Sequence, residues 1–157
     1  MKSSPNAHWI PLIALVALAG CMEEPPPEET MTFEVVTDIR ETMEWILEPA
    51  AEVIWDSAGF IITEAGEQDL SPTTDEGWAK VVHASALMAE AGNLMMIPGR
   101  SAGDDWNSHA AKMTAAGKQA MAAALAQDAD ALFDAGGQVY QACRSCHIQF
   151  WADARLD

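Results

Sequence analysis

Apolar residues recur at steps of three and four along four successive stretches of this chain. A repeat near 3.6 residues can bury its apolar side only as a helix packed on other helices. The first stretch runs from about Thr32 to Ser57, with Val36, Ile39, Met43, Ile46, Ala50 and Val53 on one stripe. Pro49 stands within it, where the missing backbone donor should bend or break the helix. Gly59 and Gly66 fall in the connection that follows. The second stretch begins near Thr73 or Thr74. Thr73-Thr74-Asp75-Glu76 reads as a capping box whose acids suit the positive end of a helix dipole. Trp78, Val81, Ser85, Met88 and Met95 track one face, and Pro98-Gly99 closes it. The third starts after Asp104-Asp105 and keeps the period through Trp106, Ala110, Met113, Gly117, Met121 and Ala124. Its alanines favour helix and close packing.

The fourth stretch opens around Asp128 to Asp130 and runs to about Trp151. Leu132, Ala135, Val139, Ala142 and Cys146 form one stripe; Gly136, Tyr140, Cys143, His147 and Trp151 form its neighbour. Two adjacent stripes make a wide face, one part for a bundle core and the other for a cofactor. No alternating strand pattern of useful length and no internal repeat is visible. The expected fold is all-α, an antiparallel four-helix bundle with short loops over residues 32–157. With 157 residues, half of them apolar, one domain with a real core is affordable and two are not.

Residues 1–20 read as separate from that fold. Lys2 gives a positive start, and Trp9 to Ala19 is apolar apart from Pro11. Eleven residues at ~1.5 Å each cannot cross a ~30 Å hydrocarbon layer, but they suit the core of a secretion signal. The run ends at Leu18-Ala19-Gly20-Cys21, which resembles a bacterial lipobox. The resemblance implies that Cys21 carries a diacylglyceryl thioether and becomes the mature N-terminus. An ordinary cleavage nearby, with Cys21 incidental, is the plainer alternative. Residues 21–31 include Glu23-Glu24-Pro25-Pro26-Pro27-Glu28-Glu29, a linker stiffened by proline and extended by like charge. Met22 follows the cysteine, where Asp retains some bacterial lipoproteins in the inner membrane. By that analogy, an outer-membrane anchor facing the periplasm of a bacterial envelope is favoured.

Acids outnumber bases 24 to 8, a formal net charge of −16. Phosphate backbones would repel such a chain, so nucleic acid is excluded as a partner. A basic partner protein fits, as does a merely solvated surface.

With Cys21 assigned to lipid, Cys143 and Cys146 remain, and in an oxidising compartment so close a pair would form a disulfide unless something else claimed it. Cys143-Arg144-Ser145-Cys146-His147 is C-x-x-C-H, the spacing of covalent c-type haem attachment. Two thiols add to the two haem vinyl groups, and the adjoining imidazole reaches the iron from one axial side. On a helix Cys143 and His147 are one turn apart and share a face. A redox dithiol would sit at a helix start after a strand, and no strand precedes Cys143. A structural zinc wants four ligands, and His83 and His109 are isolated in the sequence.

A C-x-x-C-H in the last of four helices resembles the cytochrome c′ family, over roughly Thr32 to Trp151. Trp45-Ile46-Leu47-Glu48-Pro49-Ala50-Ala51-Glu52-Val53-Ile54-Trp55 also resembles the first helix of a group of bacterial cytochromes. The resemblance implies one covalent haem c held by Cys143 and Cys146, with His147 as proximal iron ligand. It also implies a distal residue from the first helix, where Met43 falls. A thioether there would favour ferrous iron and a six-coordinate electron carrier. An apolar side chain would leave five-coordinate iron able to bind nitric oxide or carbon monoxide. Met43 equally fits ordinary core packing, as do Met88, Met95, Met96, Met113 and Met121; Met31 is a weaker distal candidate because it precedes the helix. Phe150 matches an aromatic that follows the family motif, whereas Trp151 stands where a basic residue is expected. Trp45, Trp55, Trp78, Trp106 and Trp151 are candidates to cover the haem or to fill core. Arg40 and Arg100 are candidates for a propionate, with surface bases the preferred reading. Relatives often dimerise through their first helices, which makes a homodimer an expectation.

No acid–base pair, Ser/His/Asp set or phosphate-cradling loop stands out, so no catalytic apparatus is expected. One-electron transfer leads, gas binding is the alternative, and a haem-free interaction lipoprotein is a third reading.

Overall fold

The computed structural model describes residues 33–151; the expected leader, Cys21, the expected acidic linker and Met31 lie outside the described residues. The elements run α1 (Ile39–Thr42), a π-helical turn (Met43–Leu47), α2 (Glu48–Trp55), strands β1 (Phe60–Thr63) and β2 (Gly66–Asp69), α3 (Asp75–Leu94), α4 (Asp104–Ala126) and α5 (Ala129–Phe150). The first three form one continuous helical rod, so the described residues make four helical arms.

The rod starts later than the hydrophobic stripe suggested. Asp38 caps it, its Oδ1 accepting from the Glu41 amide at 2.8 Å while its own amide donates to Glu41 Oε2 at 3.0 Å. This reciprocal pair is a capping box. The one read at Thr73–Glu76 does not form. Thr74 is the cap of α3 and accepts from the Gly77 amide at 3.1 Å; glycine has no side chain to return the bond.

Pro49 neither breaks the rod nor leaves it regular. Lacking an amide hydrogen, it sits in the first turn of α2, just after a widened turn in which the Glu48 amide bonds the Met43 carbonyl five residues back. The widened turn takes up one extra residue, about 100° of rotation. Of the expected stripe, Ala50 is buried and Ile39, Met43 and Ile46 pack half-buried against the core, whereas Leu47, Ala51 and Ile54 turn fully inward and Val53 is left exposed. Val36 precedes the rod and is 81% exposed, so it does not belong to the stripe.

A two-stranded antiparallel hairpin occupies the connection expected to lack strands, with Phe60 opposite Asp69 and Ile62 opposite Glu67. All eight of its residues are exposed. With no buried face there is no apolar alternation to read. Gly59 (φ 87°) and Gly66 (φ 126°) adopt backbone angles that other residues resist. Leu70 donates to the Gly59 carbonyl at 3.0 Å and closes the base of the hairpin.

α3 and α4 pack backbone to backbone. A Cβ on Gly117 would lie 2.6 Å from the Ala89 amide nitrogen. Thr114 Oγ1 donates to the Ala89 carbonyl at 3.1 Å. Their antiparallel sense is fixed at both ends: Trp106 Nε1 donates to the Met95 carbonyl at 2.8 Å, and Gln127 Nε2 to Asp75 Oδ1 at 2.9 Å. Gln127 takes a left-handed conformation (φ 54°) and the Asp128 amide reaches back to the Ala123 carbonyl at 3.0 Å, a helix stop that lets α5 begin at once. Trp55 Nε1 donates to the Gly136 carbonyl at 3.1 Å and joins α2 to α5. Each arm thus touches its two neighbours in an antiparallel four-helix bundle. Ile54, Val81, Met88, Leu132 and Val139 are fully buried at its centre, surrounded by alanines that allow the close approach. Among the described residues no helix is long and apolar enough to cross a membrane.

Candidate functional site

Of the two stripes on α5, Leu132, Ala135, Val139, Ala142 and Cys146 are all buried. The second is only partly covered: Gly136 is buried, Cys143 and His147 are half-buried, and Tyr140 and Trp151 are exposed. Helical spacing places the two thiols and the imidazole on the last two turns of α5, toward the arm that begins at Asp38. There they line a narrow crevice of about 10 Å³, room for about one water molecule, together with Met43, Met95, Trp106, His109, Ala110 and Met113. Met43 comes from the first residue of the π-helical turn, Met95 from the end of α3, and the others from the opening turns of α4.

Cys143 and Cys146 are free thiols. Burial pushes the Cys143 thiol above its usual range, a hydrogen bond to its own backbone opposes this, and neighbouring Cys146 adds to the rise. Burial also raises Cys146. Burial lowers His147 below the ordinary histidine value, because an imidazolium would lose hydration there. At neutral pH the crevice therefore holds protonated thiols and a neutral imidazole, the form that can ligate a metal. Among the described residues, no cluster of three or more His, Cys, Asp or Glu is poised to hold a bare metal ion.

His109 is not isolated. It is buried on α4, 8% exposed, with Nδ1 3.1 Å from Ser145 Oγ and Nε2 2.9 Å from Gln149 Oε1. Gln149 Nε2 donates to Asp105 Oδ2 at 3.0 Å, which directs the amide oxygen toward His109. Ser145 Oγ also lies 3.1 Å from the Ala142 carbonyl, which competes with His109 Nδ1 for its one hydroxyl proton. These bonds fasten the last turns of α5, motif included, to the start of α4. The sequence carried no signal for this, since His109 and Ser145 meet only through folding.

Aromatic rings complete the end of the bundle. Phe150 packs edge-on against Trp106 with centroids 5.1 Å apart, and Trp151 against His147 at 5.2 Å. Of the five tryptophans considered, Trp106 lines the crevice and Trp151 touches the imidazole. Trp45 is 62% exposed, Trp55 serves the α2–α5 contact, and Trp78 is buried near the start of α3, at the other end of the bundle. Met95 and Met113 join Met43 in the crevice while also belonging to the core; Met88 is core throughout.

The two arginines differ. Arg40 is exposed beside Glu44 at 3.4 Å, a surface base. Arg100, expected on the surface, is buried at 8% exposure. Its Nη2 donates to Thr37 Oγ1 at 2.8 Å and to the Thr37 carbonyl at 3.0 Å, and Nη1 lies 3.4 Å from the Leu94 carbonyl. The guanidinium ties the segment before α1 to the end of α3, using donors that a propionate would need.

Comparison of the chain with protein families, curated proteins and solved structures finds no match to any of them.

Proposed function

We propose that this chain is a mono-haem c-type cytochrome with a cytochrome c′-like bundle, whose work is one-electron transfer rather than catalysis. The observation that carries the reading is that Met43, from the first arm, lines the same crevice as Cys143, Cys146 and His147 of the last. The donor set fits the group. Two thiols are unpaired, a neutral imidazole follows them, and a thioether stands in an otherwise apolar lining. Cys143 and Cys146 would hold the macrocycle, His147 would ligate the iron, and Met43 is the candidate for the second axial position. When bound, haem supplies a ferric/ferrous couple. The chain supplies the rest: apolar side chains that keep water from the crevice, and the His109 bonds that hold the motif in place.

In this reading Cys21 anchors the protein by lipid to the envelope, periplasm-facing, and a basic redox partner docks on the acidic surface. The test is to make the exported chain with haem-attachment enzymes and to examine the peptide bearing Cys143 to His147 by mass spectrometry. One macrocycle per chain, with a six-coordinate reduced spectrum, is expected. A colourless protein with no added mass would remove the proposal. A five-coordinate spectrum that changes under carbon monoxide would replace electron transfer with gas binding.

A further inference from the structure

The β1–β2 hairpin buries none of its residues, so its side chains are explained neither by the core nor by the crevice. Its register puts Phe60 and Ile62 on the same face as their direct partners Asp69 and Glu67. Phe60 is 59% exposed and Ile62 78%. Each large apolar side chain on that face therefore stands beside a carboxylate, and among the described residues no third strand covers either outer edge. Both strands are only four residues long, and the charges on them are carboxylates, with no lysine or proline.

The charge around the hairpin is mostly acidic, with exposed Lys80, 3.7 Å from Glu76 near the start of α3, as a base at that end. No Lys, Arg or His occurs between Arg40 and Lys80, nor between Lys118 and Arg144. Those two intervals supply the hairpin end of the bundle. Phe133, itself exposed, lies against Gly59 at the hairpin base. Asp56, Glu64, Asp128 and Asp134 are exposed there and add to Glu67 and Asp69.

We propose that this face of the hairpin is a docking surface for an extended, lysine- or arginine-rich segment of a basic partner protein. A long basic side chain has two parts, and the face has a place for each. The alkyl stem lies along Phe60 or Ile62 while the cationic head reaches the carboxylate opposite. Phe60 adds the face of a ring to which a cation is attracted. A free strand edge offers backbone hydrogen bonds to an extended segment, and alternate side chains of that segment fall on the apolar–acidic face. The same charge disfavours the other occupants. A second copy of this chain, at −16, would be repelled, and so would an anionic lipid surface.

The surface is remote from the crevice. Phe133 and Cys143 are ten residues apart on α5, about 15 Å at ~1.5 Å per residue. The inference therefore stands or falls separately from the haem proposal.

The experiment titrates the full chain with an eight-residue peptide of alternating lysine and valine, followed by calorimetry. One-to-one binding is expected, weakening about tenfold between about 50 mM and about 500 mM salt. Glu67→Gln with Asp69→Asn, and separately Phe60→Ser with Ile62→Ser, should each weaken it by about tenfold while the helical circular dichroism stays unchanged. The control removes two charges elsewhere, by Glu90→Gln with Asp104→Asn. An equal loss in that control means unspecific attraction to an acidic protein and overturns the proposal, as does an absence of peptide binding. Self-association, or binding to phosphatidylglycerol vesicles, that disappears with Phe60→Ser and Ile62→Ser would also overturn it and assign the face to that occupant.

Discussion

His109 Nε2 donates to Gln149 Oε1 across 2.9 Å, and this bond joins the start of α4 to the last turn of the helix that carries Cys143, Cys146 and His147. The direction follows from Asp105, which takes the amide hydrogen of Gln149 and leaves its oxygen to accept. Replacing His109 with alanine removes the bond and opens space beneath the motif. A loss of about 1–3 kcal/mol in urea unfolding is expected. If His109→Ala unfolds at the parent midpoint, the bond contributes nothing to fastening α5.

Arg100 makes a second long-range clasp. Its guanidinium serves Thr37 through both the carbonyl and the hydroxyl, from a buried position. A lysine has a single point charge and cannot reproduce the fork. Arg100→Lys should therefore destabilise by about 1–2 kcal/mol, and Arg100→Ala by about 2–3 kcal/mol, because the Thr37 oxygens lose their donors. Thermal unfolding of both variants checks the order, and equal melting of parent and Arg100→Ala would refute it.

Two glycines should respond to the same substitution with opposite signs. At Gly117 a methyl group meets the backbone of Ala89, so Gly117→Ala forces α3 and α4 apart and should cost about 1–3 kcal/mol. At Gly137, midway along α5, nothing lies within 4 Å of the added carbon. Gly137→Ala should stabilise by about 0.5–1 kcal/mol through lower unfolded-chain entropy. Chemical denaturation of the pair decides between close helix contact and loose packing.

The bare polypeptide should be least stable at both ends of a pH series. His147 has a folded value below its ordinary 6.5, so as pH falls through about that value the unfolded state takes up a proton that the folded state resists. Stability is lost toward acid. Cys143 and Cys146 have folded values above their ordinary 9.0, so the unfolded thiols ionise first as pH rises past that value. Stability is lost toward alkali. Cys143→Ala with Cys146→Ala should flatten the alkaline limb, and His147→Phe the acid limb above about pH 5, where exposed carboxylates are still ionised. Unchanged limbs would show that these groups do not sense burial.

If the proposed haem is bound with Met43 as second axial ligand, Met43→Ala should lower the reduction potential and open the reduced iron to carbon monoxide. A spectrum and potential equal to the parent would return Met43 to the ordinary core.

The four helical arms were legible because each buries a face of its own along its length. On α5 the sequence spacing alone identifies Leu132, Ala135, Val139, Ala142 and Cys146 as inward, and all are buried. The same local rule places Cys143 and His147 one turn apart, so the composition of the motif and its shared face needed no tertiary information. Tertiary structure decided the rest. Pro49 announced a disturbance but not its kind, and the π-helical turn it adjoins moved the inward face from Val53 to Ile54. The hairpin at Phe60 to Asp69 has no buried side and hence no alternation to betray it. Arg100 read as a surface base or propionate candidate, and His109 as isolated, because their partners, Thr37 and Ser145, lie far away along the chain. Periodicity reports which side of an element turns inward. Only the folded chain brings distant polar groups within hydrogen-bonding reach, and that is how Met43 came to share a crevice with Cys143, Cys146 and His147.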